Sequence, residues 1–233
     1  MYQLNVEGAR KANLKTGGFI DKSGDYKCKI ETAFWTNSNQ QDSQSKFLVI
    51  DFVVEGTEQK QTIELCYQKK DGTRNDFQAD KIDAIMASLK IRNLTAAPRQ
   101  LTRYDRVQGH DVTKNFDCCP ELEGKTIGIL FQKEQDAYQD RTSGQWKEVK
   151  KTNIYAVYQA ETGLTPSEIL DRVTQPKELA SLKEALEGNP LYYSNNWKNS
   201  PFNGRSGGQQ QQGGGYANAG KQAPLEDDSD LPF

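Results

Sequence analysis

Residues 25–35, DYKCKIETAFW, decide the fold, because their side chains alternate in character along the whole stretch. One set is mostly apolar and comprises Tyr26, Cys28, Ile30, Thr32 and Phe34. The intervening set includes Lys27, Lys29, Glu31 and Trp35. A period of two is typical of a half-buried β-strand, whose successive side chains point to opposite faces. The stretch therefore predicts a strand with Lys27, Lys29 and Trp35 directed away from the core.

Two more strands follow at short intervals. Residues 46–55 alternate in the same way, with a core face of Leu48, Ile50, Phe52 and Val54. That choice of face turns Phe47 outward. After a turn at residues 56–58, Ile63, Leu65 and Tyr67 alternate with Thr62, Glu64 and Cys66. Three strands with short connections predict an antiparallel meander.

The second half adds a helix and two strands. Apolar residues at three- and four-residue steps predict a helix that Asn75 or Asp76 caps. Residues 91–123 are expected to be irregular, and strands are predicted at 125–132 and 146–159 on either side of a polar loop, 135–145. Three strands, a helix and two strands is the order of the OB-fold, a five-stranded Greek-key barrel. The fold class is therefore mainly β, although the same order also fits another small barrel.

The C-terminal third changes character. Thr165, Pro166 and Glu168 predict a short helix with a capping box, and a second helix is expected from 176 to about 186. These helices would complete a domain of residues 1–188. Residues 189–224 are rich in Gly, Gln and Asn and predict a flexible linker. Residues 225–233 are acidic with few apolar side chains and are expected to be disordered.

Composition argues against an enzyme, a metal site and a membrane protein. The four cysteines have no Cys-x-x-Cys spacing and His110 is the only histidine, so neither a zinc site nor a His-based catalytic group is expected. Asp76, Asp80 and Asp83 fit a solvated helix face better than a magnesium site. We expect no cofactor, since no phosphate-binding loop occurs. No apolar run is as long as a membrane span, which favours a soluble, cytoplasmic protein with reduced thiols.

The acidic segment carries the most specific pattern. Its four carboxylates are Glu226, Asp227, Asp228 and Asp230, and the sequence closes on Leu231-Pro232-Phe233. The whole chain has a net charge of −2, which leaves +2 for residues 1–224 without these four acids. This segment resembles the C-terminal peptide of bacterial and phage single-stranded DNA-binding proteins, with Leu231 where the commonest form has Ile. The body resembles the phage branch more loosely.

The resemblance implies two kinds of partner. An OB-fold body would hold single-stranded DNA, and the tail would dock replication or recombination proteins such as a polymerase, helicase, nuclease or recombinase. Docking would place Phe233 in an apolar pocket and the acids against basic side chains. The alternatives are a tail that only aids solubility and, for the whole chain, a protein-binding adaptor. Aromatic residues of the linker leave self-association open.

Binding a single strand requires cations that follow the phosphates and aromatic side chains on which bases stack. The candidates on the predicted strands and loops are Lys27, Lys29, Trp35, Phe47, Lys69, Lys70, Arg74, Arg103, Tyr104, Tyr138, Arg141, Trp146, Lys147, Lys150 and Lys151. Trp35 and Phe47 have a structural alternative, packing beneath the C-terminal helices. Arg103 and Tyr104 fit a basic surface loop equally well. Stacking tolerates every base, so little base specificity is expected.

Overall fold

A computed structural model describes residues 18–38, 43–105, 108–140 and 142–203. Its strands are β1 (Gly24–Asn37), β2 (Lys46–Val54), β3 (Lys60–Gln68), β4 (Ala97–Asp105), β5 (His110–Cys118), β6 (Thr126–Gln139), β7 (Trp146–Tyr158) and β8 (Leu191–Tyr193). Its helices are α1 (Asp76–Ser88), α2 (Pro166–Leu170), α3 (Glu178–Gly188) and α4 (Asn195–Asn199). The prediction of a mainly β protein is confirmed.

The strands form one open sheet in which β1 is the central element. β1 pairs with β2 on one edge, and on the other edge with β6 along its first half and with β5 near its end. The order continues outward from β2 to β3, from β5 to β4 and from β6 to β7. All these pairs are antiparallel, whereas β8 pairs with β6 in parallel. The principal core lies on one face of β1, β2 and β3, with Ile82 and Ile85 of α1 packed into it.

A β-bulge in β1 reverses the facing of its second half. The register with β2 shifts between Ile30 and Thr32, so Glu31 is an extra residue. Before the bulge Ile30 faces the core as predicted, but after it Ala33 and Trp35 face the core instead. The prediction that Trp35 points away from the core is therefore wrong. Its ring packs edge-on against Tyr67 at a centroid distance of 5.2 Å.

Phe47 lies on the predicted face of β2, but its ring is buried there. Phe47 lies next to Leu48 in β2, so the two side chains take opposite faces of the sheet. Phe47 is nevertheless only 2% exposed. A ring buried to this degree offers no face on which a base could stack.

The stretch expected to be irregular, 91–123, contains a β-hairpin. β4 and β5 pair along nine positions, from Ala97 opposite Cys118 to Asp105 opposite His110. Few of these residues are apolar, which is why the alternation that predicts strands was missing here. The prediction of an irregular segment is wrong for these two strands.

The hairpin of β6 and β7 is longer than predicted. The two strands stay paired as far as Gln139 opposite Trp146, which leaves only residues 140–145 for the turn. Residues 135–139 of the polar loop predicted at 135–145 are therefore strand. We call the part of this hairpin beyond Phe131 the arm, because Phe131 is the last residue of β6 that pairs with β1.

The C-terminal helices agree with the sequence, but the folded region extends past the predicted boundary. Thr165 and Glu168 form the predicted capping box at α2. The linker prediction is wrong for residues 191–203, because β8 pairs with β6 and Trp197 of α4 is only 6% exposed. Residues 204–224 of the predicted linker and the whole acidic segment lie outside the described residues. In the described part of the chain, no helix has the length and apolar character to cross a membrane.

Candidate nucleic-acid interface

The face of the sheet opposite the principal core, here called the outer face, carries the candidate lysines of β1. Lys27 and Lys29 are both exposed, and neither forms an ion pair with any residue that the structure describes. Lys29 lies opposite Val53 in β2, and Val53 lies opposite Lys60 in β3. Residues directly opposite one another share a face, so Lys29 and Lys60 lie on the same face, two strand spacings or about 10 Å apart.

A small second core holds the β4–β5 hairpin against the outer face. It consists of Phe34, Val49 and Cys118, with Leu101 and Phe116 of the hairpin packed on them. The rings of Phe34 and Phe116 meet edge-on at a centroid distance of 4.7 Å. The bulge at Glu31 turns Phe34 to the outer face, where Phe34 forms part of the apolar surface on which the hairpin packs.

Arg103 is the polar anchor of the hairpin. Its Nη2 donates to Asp51 Oδ1 at 3.2 Å, and its Nη1 donates to Asp51 Oδ2, which makes the pair bidentate. Thr62 Oγ1 also donates to Asp51 Oδ1, at 2.6 Å. The guanidinium lies over the ring of Phe34, with its carbon 4.7 Å from the ring centroid. Arg103 is therefore held in a fixed plane above β2.

A groove separates the hairpin from the sheet. It has a volume of about 290 Å³, with a floor of β1, β2 and β3 residues and a wall that includes Leu101 and Arg103. Glu31 and Lys60 lie on the floor and form an ion pair at 2.7 Å. Tyr104 follows Arg103 in β4 and is 65% exposed, and alternation along the strand directs its ring to the face of the hairpin away from the groove.

The arm carries more of the candidates, but on both of its faces. Tyr138 lies opposite Lys147, and Trp146 lies opposite Gln139. Because adjacent positions of a strand alternate, Tyr138 and Trp146 point to opposite faces. Both are half-buried, and a single strand cannot stack on the two rings from one side. Arg141 lies outside the described residues.

The arm also neutralises two of its own lysines. Lys147 pairs with Asp140, and this hydrogen bond holds the pKa of the Asp140 carboxyl well below its usual range. Lys151 pairs with Asp136 at 2.7 Å. Lys150 is exposed and forms no ion pair with the described residues. Of the three candidate lysines in the arm, Lys150 has the charge most available to a phosphate.

Arg74 forms ion pairs with carboxylates of α1. Its guanidinium donates to Asp76 at 3.1 Å, to Asp80 at 3.5 Å and to Asp83 at 3.0 Å. The hydrogen bond to Asp83 is the main reason that the pKa of Arg74 is raised. All three carboxylates are exposed, as expected for a solvated helix face. With three carboxylates around it, Arg74 is a poor phosphate ligand.

The described residues offer no obvious reactive centre. Burial raises the pKa of Cys28 and of Cys119 to about 12, so both thiols stay protonated at neutral pH. His110 is exposed near the tip of the β4–β5 hairpin, where its Nδ1 lies 3.0 Å from the carbonyl oxygen of Gln108. Within the described ranges, no three His, Cys, Asp or Glu side chains are grouped as metal ligands.

The candidates fall into separate places along the sheet. Lys27, Lys29 and Arg103 lie on the outer-face side of the sheet, and of these only Arg103 lines the groove. Tyr138 is seven residues beyond Phe131, which places it about 23 Å further along β6. Lys69 and Lys70 follow the end of β3, where Gln68 pairs with Lys46, and are about 30 Å along that strand from Lys60. The candidates therefore do not converge on one place: three share the outer-face side of the sheet, and those of the arm are divided between its two faces.

Sequence reasoning missed three residues of the groove. Glu31 and Lys60 were treated as ordinary strand positions, and Asp51 was not singled out. Their roles depend on the bulge and on a hairpin contact between residues 52 positions apart, Arg103 and Asp51. A carboxylate in the middle of an apolar strand, as Asp51 is in β2, was the one available signal.

Comparison with known proteins assigns no family. No protein-family model matches this chain, and no curated protein matches it. The groove and the lysines beside it are therefore interpreted from their own chemistry.

Proposed function

We propose that the chain is a non-catalytic single-stranded DNA-binding protein that holds the strand across the outer face of β1, β2 and β3. The observation that carries the proposal is the pair Lys27 and Lys29, exposed and without ion-pair partners in the described ranges. Tyr104, on the outer side of the neighbouring β4–β5 hairpin, is an exposed aromatic. Cations for the phosphates and an aromatic for the bases are what a single strand requires.

The strand order supports an OB-fold for the body. The path β3-β2-β1-β6-β7, with α1 between β3 and β6 in the chain, is the connectivity of a five-stranded Greek-key barrel. α1 contacts both β3 and β7, the two strands at the ends of this path. The β4–β5 hairpin is then an insertion between the barrel helix and the fourth barrel strand.

The sequence supports the partner part of the proposal. The acidic segment Glu226 to Asp230, followed by Leu231-Pro232-Phe233, resembles the peptide through which single-stranded DNA-binding proteins recruit replication and recombination proteins. The four cysteines are free and buried, which supports a reducing, cytoplasmic location. In this proposal the chain coats DNA and brings enzymes to it.

Titration of fluorescently labelled oligo-dT at several salt concentrations tests the proposal. Each phosphate contact contributes about 0.7 to the slope of log K against log[salt] on a single strand. Changing Lys27 and Lys29 together to Glu should lower the affinity and reduce the slope by about 1.4. Lys177→Glu is the matched control, since Lys177 is an exposed lysine at the start of α3 and is not part of β1, β2 or β3.

The control should leave the affinity and the slope close to the wild-type values. Absence of oligo-dT binding at low salt would overturn the proposal and favour a protein-binding adaptor. An unchanged slope in the Lys27/Lys29 variant would remove the outer face from the DNA path.

A further inference from the structure

We propose that the groove beneath the β4–β5 hairpin takes one nucleobase of the bound strand, stacked on Arg103 and recognised at its edge by Glu31. The inference rests on the proposed binding of single-stranded DNA and makes that binding base-selective. Cytosine and adenine, which carry exocyclic amines, are favoured over thymine.

The charges of the groove suit a neutral polar ligand rather than a phosphate. Its two cations, Lys60 and Arg103, are each paired with a carboxylate that also lines the groove, Glu31 and Asp51. A phosphate entering here would meet two carboxylates and no uncommitted cation. The volume of about 290 Å³ lies near the lower end for ligand pockets, which suits a single base.

Arg103 provides the stacking surface. One face of its guanidinium is covered by Phe34, which does not line the groove. Because Arg103 itself lines the groove, the opposite face is the one that a ligand meets. The bidentate pair with Asp51 fixes this plane, so little side-chain freedom is lost when a base stacks on it. Guanidinium planes are established platforms for unstacked bases.

Glu31 supplies the edge recognition. Its Oε2 accepts from Lys60 Nζ at 2.7 Å, whereas its Oε1 accepts no hydrogen bond from any residue that the structure describes. The side chain is 49% exposed, and the bulge in β1 is what directs it to the groove. An ionised carboxylate only accepts hydrogen bonds. It can therefore bind the amine of cytosine or adenine, but it opposes the carbonyl oxygen O4 of thymine.

The strand has a consistent path around this site. Lys29 lies in line with Lys60 across the sheet, two strand spacings away in β1, where a phosphate next to the bound base would pass. Phosphates would therefore follow the β1 lysines while one base turns inward under the hairpin.

The test compares labelled oligo-dC and oligo-dT of equal length with the full chain at pH 7.5. Both are pyrimidine strands, so the comparison avoids the strong self-stacking of purines. The wild type should bind oligo-dC roughly tenfold more tightly. Glu31→Ala should bring this ratio close to one. Its affinity for oligo-dT should not fall, because the variant frees Lys60 for a phosphate.

Glu55→Ala is the matched control, since Glu55 is an exposed acid in the turn after β2. It should keep the wild-type ratio. Arg103→Lys keeps the positive charge but removes the planar guanidinium on which the base would stack. It should weaken binding of both oligo-dC and oligo-dT, with little change in the slope of log K against log[salt].

Thermal unfolding shows whether the Arg103→Lys variant is folded. The ratio of oligo-dC to oligo-dT affinity in the Glu31→Ala variant tests the inference even if the Arg103→Lys variant does not fold. A wild-type ratio near one with firm oligo-dT binding, or a ratio that Glu31→Ala leaves unchanged, would overturn this inference alone. Loss of all oligonucleotide binding in the wild type would overturn the proposed function and this inference with it.

Discussion

The ring of Tyr158 lies directly over Gly128, its partner across β6 and β7. A Cβ atom on Gly128 would lie 2.1 Å from Tyr158 Cζ, far inside van der Waals contact. The Tyr158 hydroxyl donates to Asp25 Oδ1 at 2.5 Å, and Lys183 of α3 pairs with Asp25 Oδ2 at 2.6 Å. The absence of a side chain at Gly128 leaves room for the Tyr158 ring. Tyr158 and Lys183 of α3 can then both bind Asp25 at the start of β1.

Gly128→Ala should destabilise the protein. Tyr158 cannot move aside without breaking its hydrogen bond to Asp25 and its packing on Leu186, so we expect a loss of about 1–3 kcal/mol in the free energy of unfolding, measured by urea denaturation. Gly188→Ala is the control, because a Cβ at this last residue of α3 would meet nothing within 4 Å. The control should stay within about 0.5 kcal/mol of the wild type. Equal losses in both variants would contradict the close approach at Gly128.

Substitution of the neighbouring arm lysines Lys150 and Lys151 should affect different properties, DNA binding for the first and stability for the second. Lys150→Glu should weaken DNA binding and lower the salt slope, with normal stability, because Lys150 is exposed. Lys151→Glu should instead destabilise the fold, because the Asp136 side chain is only 8% exposed and would face a second negative charge. The loss expected for breaking a buried pair is about 3–5 kcal/mol. Urea denaturation and oligo-dT titration of both variants separate the two effects.

The Asp136 carboxylate should make the stability of the fold sensitive to acid. Burial opposes ionisation of Asp136, but hydrogen bonds from Lys151 and Ser194 outweigh it and lower the pKa of this carboxyl. A lowered pKa in the folded state contributes stability that is present above the unfolded-state pKa of about 3.9 and is lost as the pH falls through the folded-state pKa.

Asp136→Asn cannot ionise, so its stability should fall less than that of the wild type between pH 6 and pH 3. Denaturant midpoints at several pH values measure this difference. Glu184→Gln, at an exposed position of α3, is the control and should follow the wild-type curve. Parallel wild-type and Asp136→Asn curves would show that the buried ion pair does not depress the pKa.

The strands with strong alternation were predictable because each has one apolar face. β1, β2 and β3 appear where the period of two occurs, and α1 appears where the spacing becomes helical. The facing of Trp35 was not predictable. One extra residue, Glu31, reverses every later side chain of β1, and the sequence around it, Ile30 to Ala33, fits either register.

The β4–β5 hairpin was hidden for a different reason. Its strands are mostly polar and solvent-exposed, so no core face marks them. The hairpin is held by contacts with residues far away in the chain, Phe34 and Asp51, and such contacts leave no periodic pattern. The candidate list therefore included Arg103 only as part of an irregular stretch, without its place in the groove and without its partner Asp51. The lysines of β1 were predictable because strand alternation fixes their exposure.

The acidic segment should compete with DNA for the lysines of the outer face. Its carboxylates, Glu226, Asp227, Asp228 and Asp230, carry the same charge as phosphates, and attraction between exposed charges weakens as salt screens it. Changing these four acids to their amides should therefore tighten oligo-dT binding at low salt, with the gain disappearing as salt rises. Phe233→Ala keeps the four charges and should leave DNA binding unchanged, so it is the matched control. Combining the amide changes with Lys27→Glu and Lys29→Glu should abolish the gain in affinity, because the two lysines for which the acids and the phosphates compete would be absent. A gain that persists in that combined variant would place the competition elsewhere than on the outer face.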